Sequence, residues 1–294
     1  MQNTKLVAVG GLLLLSIIWG SNIPFMKEAL DFSSPAIFAF LRNFFGAIAL
    51  FITLILLGKP IKTKEMPQLF ALGLFQTAGF TGFLIWALVE GGASKTAILT
   101  FTMPMWVAIM AWPLLQEKLT ASQWVSVMVC LLGIGFIFDP FNMDNNFRST
   151  CLALASGLSW AIGAILSKRM HHQHPTIDLV TMTAWQMLWG SIPLLLLALL
   201  LPSQPVMWTP YFMGIVLFNV IFVNAIAYLL WFYALKHLEA TLVSMLALLT
   251  PISAAISAWF LLNEIPNTFE TIGFSLILFG LFLLLLYKGR EKLS

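Results

Sequence analysis

The sequence predicts an all-α membrane protein in which ten transmembrane helices form two inverted five-helix repeats around a central cavity. Three observations lead to this fold class: a shortage of charged residues, ten long apolar runs, and a repeat within the chain. Of the 294 residues, 60% are hydrophobic and only 9% are charged, whereas a soluble domain carries roughly 25% charged residues. This number of charged residues is too small to keep the surface of such a chain hydrated, so most of the surface should face lipid.

Ten runs are long and apolar enough to be membrane helices, which need about 20 mostly apolar residues each. They cover residues 6–26, 35–57, 67–89, 93–116, 122–138, 150–168, 178–200, 210–235, 240–262 and 269–287. The first run resembles a secretory signal, but it continues from Trp19 to Pro24 without a cleavage site of small residues. We therefore interpret it as the first spanning helix.

The positions of lysine and arginine predict the orientation, because cytoplasmic connections of membrane proteins are enriched in these residues. With the N-terminus in the cytoplasm, the inner connections and tails hold Lys5, Lys59, Lys62, Lys64, Lys118, Lys168, Arg169, Lys236, Lys288, Arg290 and Lys292. The outer connections hold only Lys27, Lys95 and Arg148. We expect a multi-pass protein of the cell (inner or plasma) membrane with both termini in the cytoplasm. The formal charge of +3 is spread over these connections and forms no patch for nucleic acid.

An internal repeat divides the chain into residues 1–145 and 146–294, with five helices each. At a shift of 147 residues, 87–133 lies over 234–280 without a gap, and the aligned pairs include Pro104 with Pro251, Trp112 with Trp259 and Glu117 with Glu264. At a shift of 141, Trp19 meets Trp160 and Lys27 meets Lys168. Because five is an odd number, the second half enters the membrane from the opposite side, which makes the repeat inverted. Two such halves can exchange conformations and open a central site to each side in turn.

Several motifs within the repeat are found together in one known family. A Trp-Gly-Ser-Asn stretch ending at Asn22 lies in the first helix, Arg42 lies in the second, and the fourth helix contains Pro104 and closes with Glu117. In this combination the chain resembles the drug/metabolite transporter superfamily, in its ten-helix EamA-type branch. The resemblance covers nearly the whole chain. It implies export or exchange of amino acids, related metabolites or other small polar compounds by alternating access.

The candidate substrate site consists of polar, aromatic and small residues inside the apolar runs. These are Trp19, Asn22, Arg42, Gln76, Phe80, Phe83, Trp86, Trp160, Gly163, Gln186, Asn224 and Tyr228. The two halves differ chemically, because Gly163 stands where the first half has Asn22, and Gln186 stands approximately where it has Arg42. A structural interpretation stays open for each residue, since small residues allow close helix packing and buried amides pair with other helices.

Arg42 is the most informative of these residues. A guanidinium in the middle of a spanning helix costs at least about 2.5 kcal/mol, so it should face protein or water rather than lipid. In one interpretation it is the counter-charge for an anionic group such as a substrate carboxylate. In the other it ties helices together through backbone carbonyls or reaches toward the outer interface.

The distribution of acidic and proline residues bears on mechanism. No Asp or Glu stands near the middle of an apolar run, whereas proton-coupled carriers usually keep an ionisable group on their pathway. This favours facilitated diffusion or exchange over proton antiport. Pro104 and Pro251 are expected to kink their helices, because each removes a hydrogen bond within the helix.

Three classes of function remain in order of expectation. The first is transport of a small polar metabolite, with amino acids and related compounds foremost. The second is efflux of apolar or cationic drug-like compounds, and the third, from another class, is a membrane-embedded lipid-modifying enzyme.

We expect no enzymatic activity, cofactor or metal, and we interpret His171, His172 and His174 as part of a polar loop. The lipid bilayer and a small-molecule substrate are the expected partners, and ten helices suffice to enclose a cavity in a monomer.

Overall fold

The computed structural model describes residues 2–115, 120–138, 147–247 and 249–291, which form ten helices. The first five are α1 (Gln2–Ala29), α2 (Pro35–Leu56), α3 (Met66–Glu90), α4 (Ala93–Thr100 and Met103–Leu115) and α5 (Ala121–Phe138). The second five are α6 (Phe147–Gln173), α7 (Leu179–Leu200), α8 (Pro210–His237), α9 (Ala240–Leu246 and Leu249–Leu262) and α10 (Thr268–Glu291).

These helices confirm the prediction of an all-α membrane fold. Eight of them are long and apolar enough to cross a membrane, judged by length and composition. Within α5 and α10 the apolar stretches are shorter, Trp124–Gly133 and Thr271–Gly280. The largest difference in bounds is at α6, which continues to Gln173, so that two of the histidines assigned to a loop lie in its last turn. Glu117 and the boundary between the two halves lie outside the described residues.

The packing of the helices follows the internal repeat. Helix α2 packs against α7 and α5 against α10, and these are pairs of equivalent helices. Helix α1 packs against α8 and α9, and in the same way α6 packs against α3 and α4. The same contacts therefore occur twice, related by exchange of the two halves. The middle of the arrangement is formed by α1, α3, α6 and α8.

Helices α3 and α8 each contain a π-helical segment at equivalent positions of the repeat, Gly73–Gly79 and Asn219–Ile226. In a π-helix the backbone hydrogen bonds join residues five apart instead of four, which widens the turn, and such segments are frequent at functional sites. Side chains from other helices donate to carbonyl oxygens within these segments. The Trp19 indole donates to the Val223 carbonyl (3.1 Å), and the Tyr228 hydroxyl donates to the Gln76 carbonyl (3.2 Å).

Helices α4 and α9 are interrupted at equivalent positions, where kinks in continuous helices were predicted. The helix stops at Thr100 in one case and at Leu246 in the other, and it restarts just before Pro104 and Pro251. Proline is tolerated in the first turn of a helix but not in its interior, so a restart is the favourable solution. Irregular backbone at membrane depth is tolerated where protein buries it or where it lines a cavity.

Candidate functional site

A small buried cavity lies where helices from both halves meet. Its walls come from α1, α2, α3, α4, α6 and α8, and they consist of Trp19, Asn22, Ile23, Met26, Arg42, Phe80, Leu84, Thr100, Phe101, Met103, Trp160, Val223 and Tyr228. The space open to the centre of a water-sized sphere is about 30 Å³, which is enough for roughly two water molecules. The protein is therefore closed around this cavity, and an amino acid enters only if the walls move apart.

Six of the twelve predicted site residues line this cavity. They are Trp19, Asn22, Arg42, Phe80, Trp160 and Tyr228. On α1 the lining residues follow one helical face from Trp19 to Met26, whereas on the equivalent helix α6 only Trp160 takes part. The cavity therefore lies on one side of the two tryptophans, the side nearer Lys27.

Aromatic rings form one wall of the cavity. The Trp160 ring lies edge-on to its neighbours, with centroid distances of 5.1 Å to Trp19, 5.5 Å to Tyr228 and 4.4 Å to Phe80. Edge-to-face packing of this kind is favourable because the positive ring edge meets the negative ring face. The indole N–H of Trp160 is buried and has no hydrogen-bond partner among the described residues. The wall is thus rigid and apolar but keeps a free donor.

Arg42 places a positive charge in the cavity wall. Its guanidinium is buried, contacts the Met26 sulfur, and donates from Nη2 to Asn224 Oδ1 (3.2 Å). Asn224 in turn donates from Nδ2 to the Arg42 carbonyl (2.6 Å), so it holds the arginine and does not itself line the cavity. Within the described ranges no carboxylate pairs with Arg42, and its Nε has no partner. A buried cation in this position is expensive unless an anion compensates it.

Asn22 is held by an amide pair across the two halves. Its Nδ2 donates to Asn219 Oδ1 (3.1 Å), and Asn219 Nδ2 donates back to Asn22 Oδ1 (2.8 Å). Asn219 is the first residue of the π segment in α8. The pair fixes α1 against α8 next to the cavity and satisfies both amides.

Three predicted residues pack beside the cavity without lining it. At Gly163, an added Cβ would lie 2.3 Å from Gln76 Oε1, so the glycine makes room for that side chain. The Gln76 amide is fully buried, and neither its nitrogen nor its oxygen finds a partner in the described part of the chain. Gln186 accepts from Thr77 Oγ1 (2.6 Å), while its Nε2 is likewise unpartnered.

Phe83 and Trp86 lie elsewhere. They line a second, apolar groove of about 600 Å³ between α3, α6 and α7, together with residues such as Leu197 and, at one end, Arg148. Phe83 is 41% exposed. The structure therefore does not bring these two residues to the central cavity.

Sequence reasoning missed seven lining residues of the cavity and one residue that supports it. The lining residues are Ile23, Met26, Leu84 and Val223 and, at the interruption of α4, Thr100, Phe101 and Met103; the supporting residue is Asn219. The approaching Pro104 was the available signal for the interruption. For Asn219, the signal was an amide in an otherwise apolar run, five residues before Asn224.

A network at one end of the bundle joins the two halves beyond the cavity. Lys27 Nζ lies 2.7 Å from Glu264 Oε1, and the Ala93 and Ser94 amides donate to the same carboxylate (3.0 and 3.1 Å). Burial opposes ionisation of Glu264, but the bonds from Lys27 and the two amides outweigh it and lower its pKa below the ordinary value. The carboxylate is therefore charged at neutral pH. At the other end, the equivalent Lys168 donates to the Leu235 and Leu238 carbonyls (3.0 and 2.7 Å).

Metal-binding side chains are not grouped in the ranges that the structure describes. No set of three or more His, Cys, Asp or Glu residues is placed to hold an ion. His174 Nδ1 instead lies 3.2 Å from Glu65 Oε1, and both cysteines, Cys130 and Cys151, are free thiols.

Comparison with known proteins gives a consistent result. The EamA-like transporter family matches residues 6–139 and 148–286. The uncharacterized transporter YoaV of Bacillus subtilis is 28% identical over 289 residues, covering 96% of this chain and 98% of that protein. A probable amino-acid metabolite efflux pump of Salmonella typhimurium is 26% identical over 285 residues, covering 92% of each. One crystal structure aligns with a TM-score of 0.72 at 15% identity over 99% of both chains, which shows a shared fold.

Proposed function

The chain belongs to the EamA-like transporter family, and on this premise we propose that it carries a small polar metabolite with a carboxylate group by alternating access. Amino acids and related compounds are the first substrates to test. The proposal places the protein in the cell (inner or plasma) membrane with both termini in the cytoplasm, acting as an exporter, exchanger or facilitator without covalent chemistry.

The observation that carries the substrate class is the buried Arg42 in the cavity wall, which forms no ion pair with a carboxylate of the described residues. Its guanidinium offers two or more donors in a fixed plane, which match a carboxylate. The Trp160 ring lies in the same cavity wall, and its indole N–H has no hydrogen-bond partner among the described residues. A substrate carboxylate would compensate the buried charge, and the aromatic wall would receive the apolar part of the molecule.

Two features of the whole arrangement support alternating access. The contacts between helices occur twice, related by exchange of the halves, so that two conformations of similar energy are expected. The cavity is closed in the present conformation and must open for a solute to enter. We expect a monomer to be sufficient, because ten helices can enclose a cavity within one chain.

Efflux of apolar or cationic compounds is the second candidate, and the aromatic wall is the observation that favours it. The faces of tryptophan and tyrosine rings attract cations. Arg42 opposes a cation in the same space, so this candidate predicts tighter binding after the arginine is removed, whereas the first candidate predicts weaker binding.

The test measures ligand-induced stabilisation and flux with purified protein. Amino acids, their N-acetyl and amide derivatives and aromatic cations are screened for a shift of the thermal unfolding midpoint in detergent, and each hit is followed by flux in proteoliposomes. Arg42→Ala should abolish the shift for carboxylate ligands, and the amide derivatives should be inactive on the natural protein. Arg148→Ala is the matched control, because this arginine is exposed and lies outside the cavity. An unchanged shift in Arg42→Ala rules out carboxylate binding at this residue.

A further inference from the structure

The inverted repeat defines two equivalent positions within the bundle, related by exchange of the two halves, and the cavity occupies only one of them. Its lining follows α1 from Trp19 toward Lys27, but it does not follow α6 from Trp160 toward Lys168. Exchange of the two halves generates a second position on the opposite side of the two tryptophans. The repeat offsets seen in the helices identify the residues that would line it.

Each lining residue has an equivalent in the other half. On α1 and α6 the offset of 141 pairs Met26 with Ser167, and the offset of about 144 on α2 and α7 pairs Arg42 with Gln186. On the remaining helices the offset of 147 pairs Leu84 with Trp231, Met103 with Thr250, and Gln76 with Val223. The structure supports these pairings independently: Gly46 packs against Asn224 as Gly190 packs against Thr77, and the two π segments coincide.

The residues identified in this way share an unusual property. Six of them are buried side chains with at least one polar atom that lacks a hydrogen-bond partner among the described residues, namely Gln76, Trp160, Ser167, Gln186, Trp231 and Thr250. Buried polar groups without partners cost about 1–3 kcal/mol each and are rare in folded proteins. Of the fifteen described residues with such an atom, these six lie at the exchanged position, where a conformation open to water would satisfy them.

At three places the exchanged position carries a smaller residue than the cavity does. Gly163 replaces Asn22, Ala164 replaces Ile23, and Ala227 replaces Phe80. In the present conformation the space beside Gly163 is filled by the Gln76 side chain. Movement of this one flexible side chain would begin to open the space without displacing backbone.

We propose that Gln76, Trp160, Ser167, Gln186, Trp231 and Thr250 line a second cavity when the protein opens toward the end of the bundle marked by Lys168. This inference rests on the alternating access of the proposed function. The second cavity offers neutral amide, hydroxyl and indole groups where the first offers a guanidinium. It therefore binds water and uncharged polar groups of the substrate and supplies no second cation for the carboxylate.

Cysteine accessibility tests this cavity without a known substrate. In a protein freed of its two natural cysteines by Cys130→Ala and Cys151→Ala, single cysteines are introduced as Ser167→Cys and, as an independent second site, Thr250→Cys. A small charged thiosulfonate is added from each side of oriented membrane vesicles. Lys62→Cys marks the Lys168 end, because its loop is joined to the α6–α7 connection by the Lys59–Asp178 pair (2.7 Å).

Ser191→Cys is the matched control, since Ser191 is equally buried but donates to the Met187 carbonyl of its own helix (2.7 Å). We expect Ser167→Cys and Thr250→Cys to react at least about tenfold faster than this control, and only from the side that modifies Lys62→Cys. Reaction no faster than the control, or reaction from the opposite side, overturns the inference.

Flux of the cysteine-free protein is measured separately. Intact flux together with unreactive cysteines overturns only the second cavity. Reactive cysteines together with no flux of any carboxylate solute overturn the proposed substrate class and leave the second cavity in place.

Discussion

Arg42 and Gln186 show how single residues make two similar halves unlike. Both project from equivalent helices toward the π-containing helix of the other half, Arg42 to Asn224 and Gln186 to Thr77. The same pairs of helices are joined, but Arg42 donates its hydrogen bond whereas Gln186 accepts one, and only Arg42 carries a charge. A nearly symmetric scaffold thus carries one buried cation on one side only.

The amide pair of Asn22 and Asn219 should be energetically coupled. Asn22→Ala leaves the buried Asn219 Oδ1 without its donor, while Asn219 Nδ2 keeps its bond to the Ile215 carbonyl (2.9 Å). An unsatisfied buried acceptor costs about 1–3 kcal/mol, so the thermal unfolding midpoint should fall. The double variant with Asn219→Ala should lose less than the sum of the two single losses. Measurement is by thermal unfolding in detergent, and strictly additive losses would show that the pair is not a unit.

Gly20 should be intolerant of a methyl group. A Cβ at this position would lie 2.6 Å from the Thr250 carbonyl oxygen and 2.9 Å from the Ala254 nitrogen, both backbone atoms of α9. Gly20→Ala should therefore push α1 from α9 and destabilise the protein by about 1–3 kcal/mol. Gly10→Ala, with nothing within 4 Å of its Cβ, should be neutral or slightly stabilising because alanine favours helix. Equal unfolding midpoints for the two variants would contradict the observed packing.

At the scale of elements, the π segment of α3 decides which residues face the cavity. Gln76, Phe80 and Phe83 of α3 are all candidate site residues in the sequence, yet of the three only Phe80 lines the cavity. The widened turn changes the direction of side chains before and after it. In addition, helical spacing indicates which residues share a face but not which helix covers that face, so the sequence alone does not separate Phe80 from Phe83.

The Lys27–Glu264 network should respond to acid. Because the pKa of Glu264 is lowered in the folded state, its contribution to stability is complete above the ordinary glutamate pKa and is lost as the pH falls through the lowered value. Glu264→Gln should lower the unfolding midpoint at neutral pH and reduce its dependence on pH in the acidic range. Glu90→Gln is the control, because the Glu90–Arg148 pair is exposed and contributes little. Identical acid profiles for the natural protein and Glu264→Gln would rule out this role.

At the scale of the whole molecule, none of the described residues that line the cavity is acidic, so transport should not depend on a proton gradient. We expect labelled substrate to enter proteoliposomes at the same rate with and without an imposed pH difference, and unlabelled substrate on the far side to accelerate entry. The measurement is initial flux of any ligand found by thermal shift. Accumulation driven by the pH difference would contradict facilitated diffusion and exchange.

The sequence by itself determined the all-α membrane class, the positions of ten helices and the duplication. The membrane class and the helices follow from local hydrophobic composition. The duplication is visible when the chain is aligned with itself. It also indicated six of the residues that line the cavity, because polar and aromatic residues in apolar helices are costly unless they face the interior.

Only the tertiary structure decided that the cavity lies on one side of Trp19 and Trp160, that Gln76 fills the space beside Gly163, and that Phe83 and Trp86 face a different groove. These facts depend on which helices touch and on small shifts at the π segments and interruptions. Contacts between distant parts of the chain are not encoded in the periodicity of any single segment.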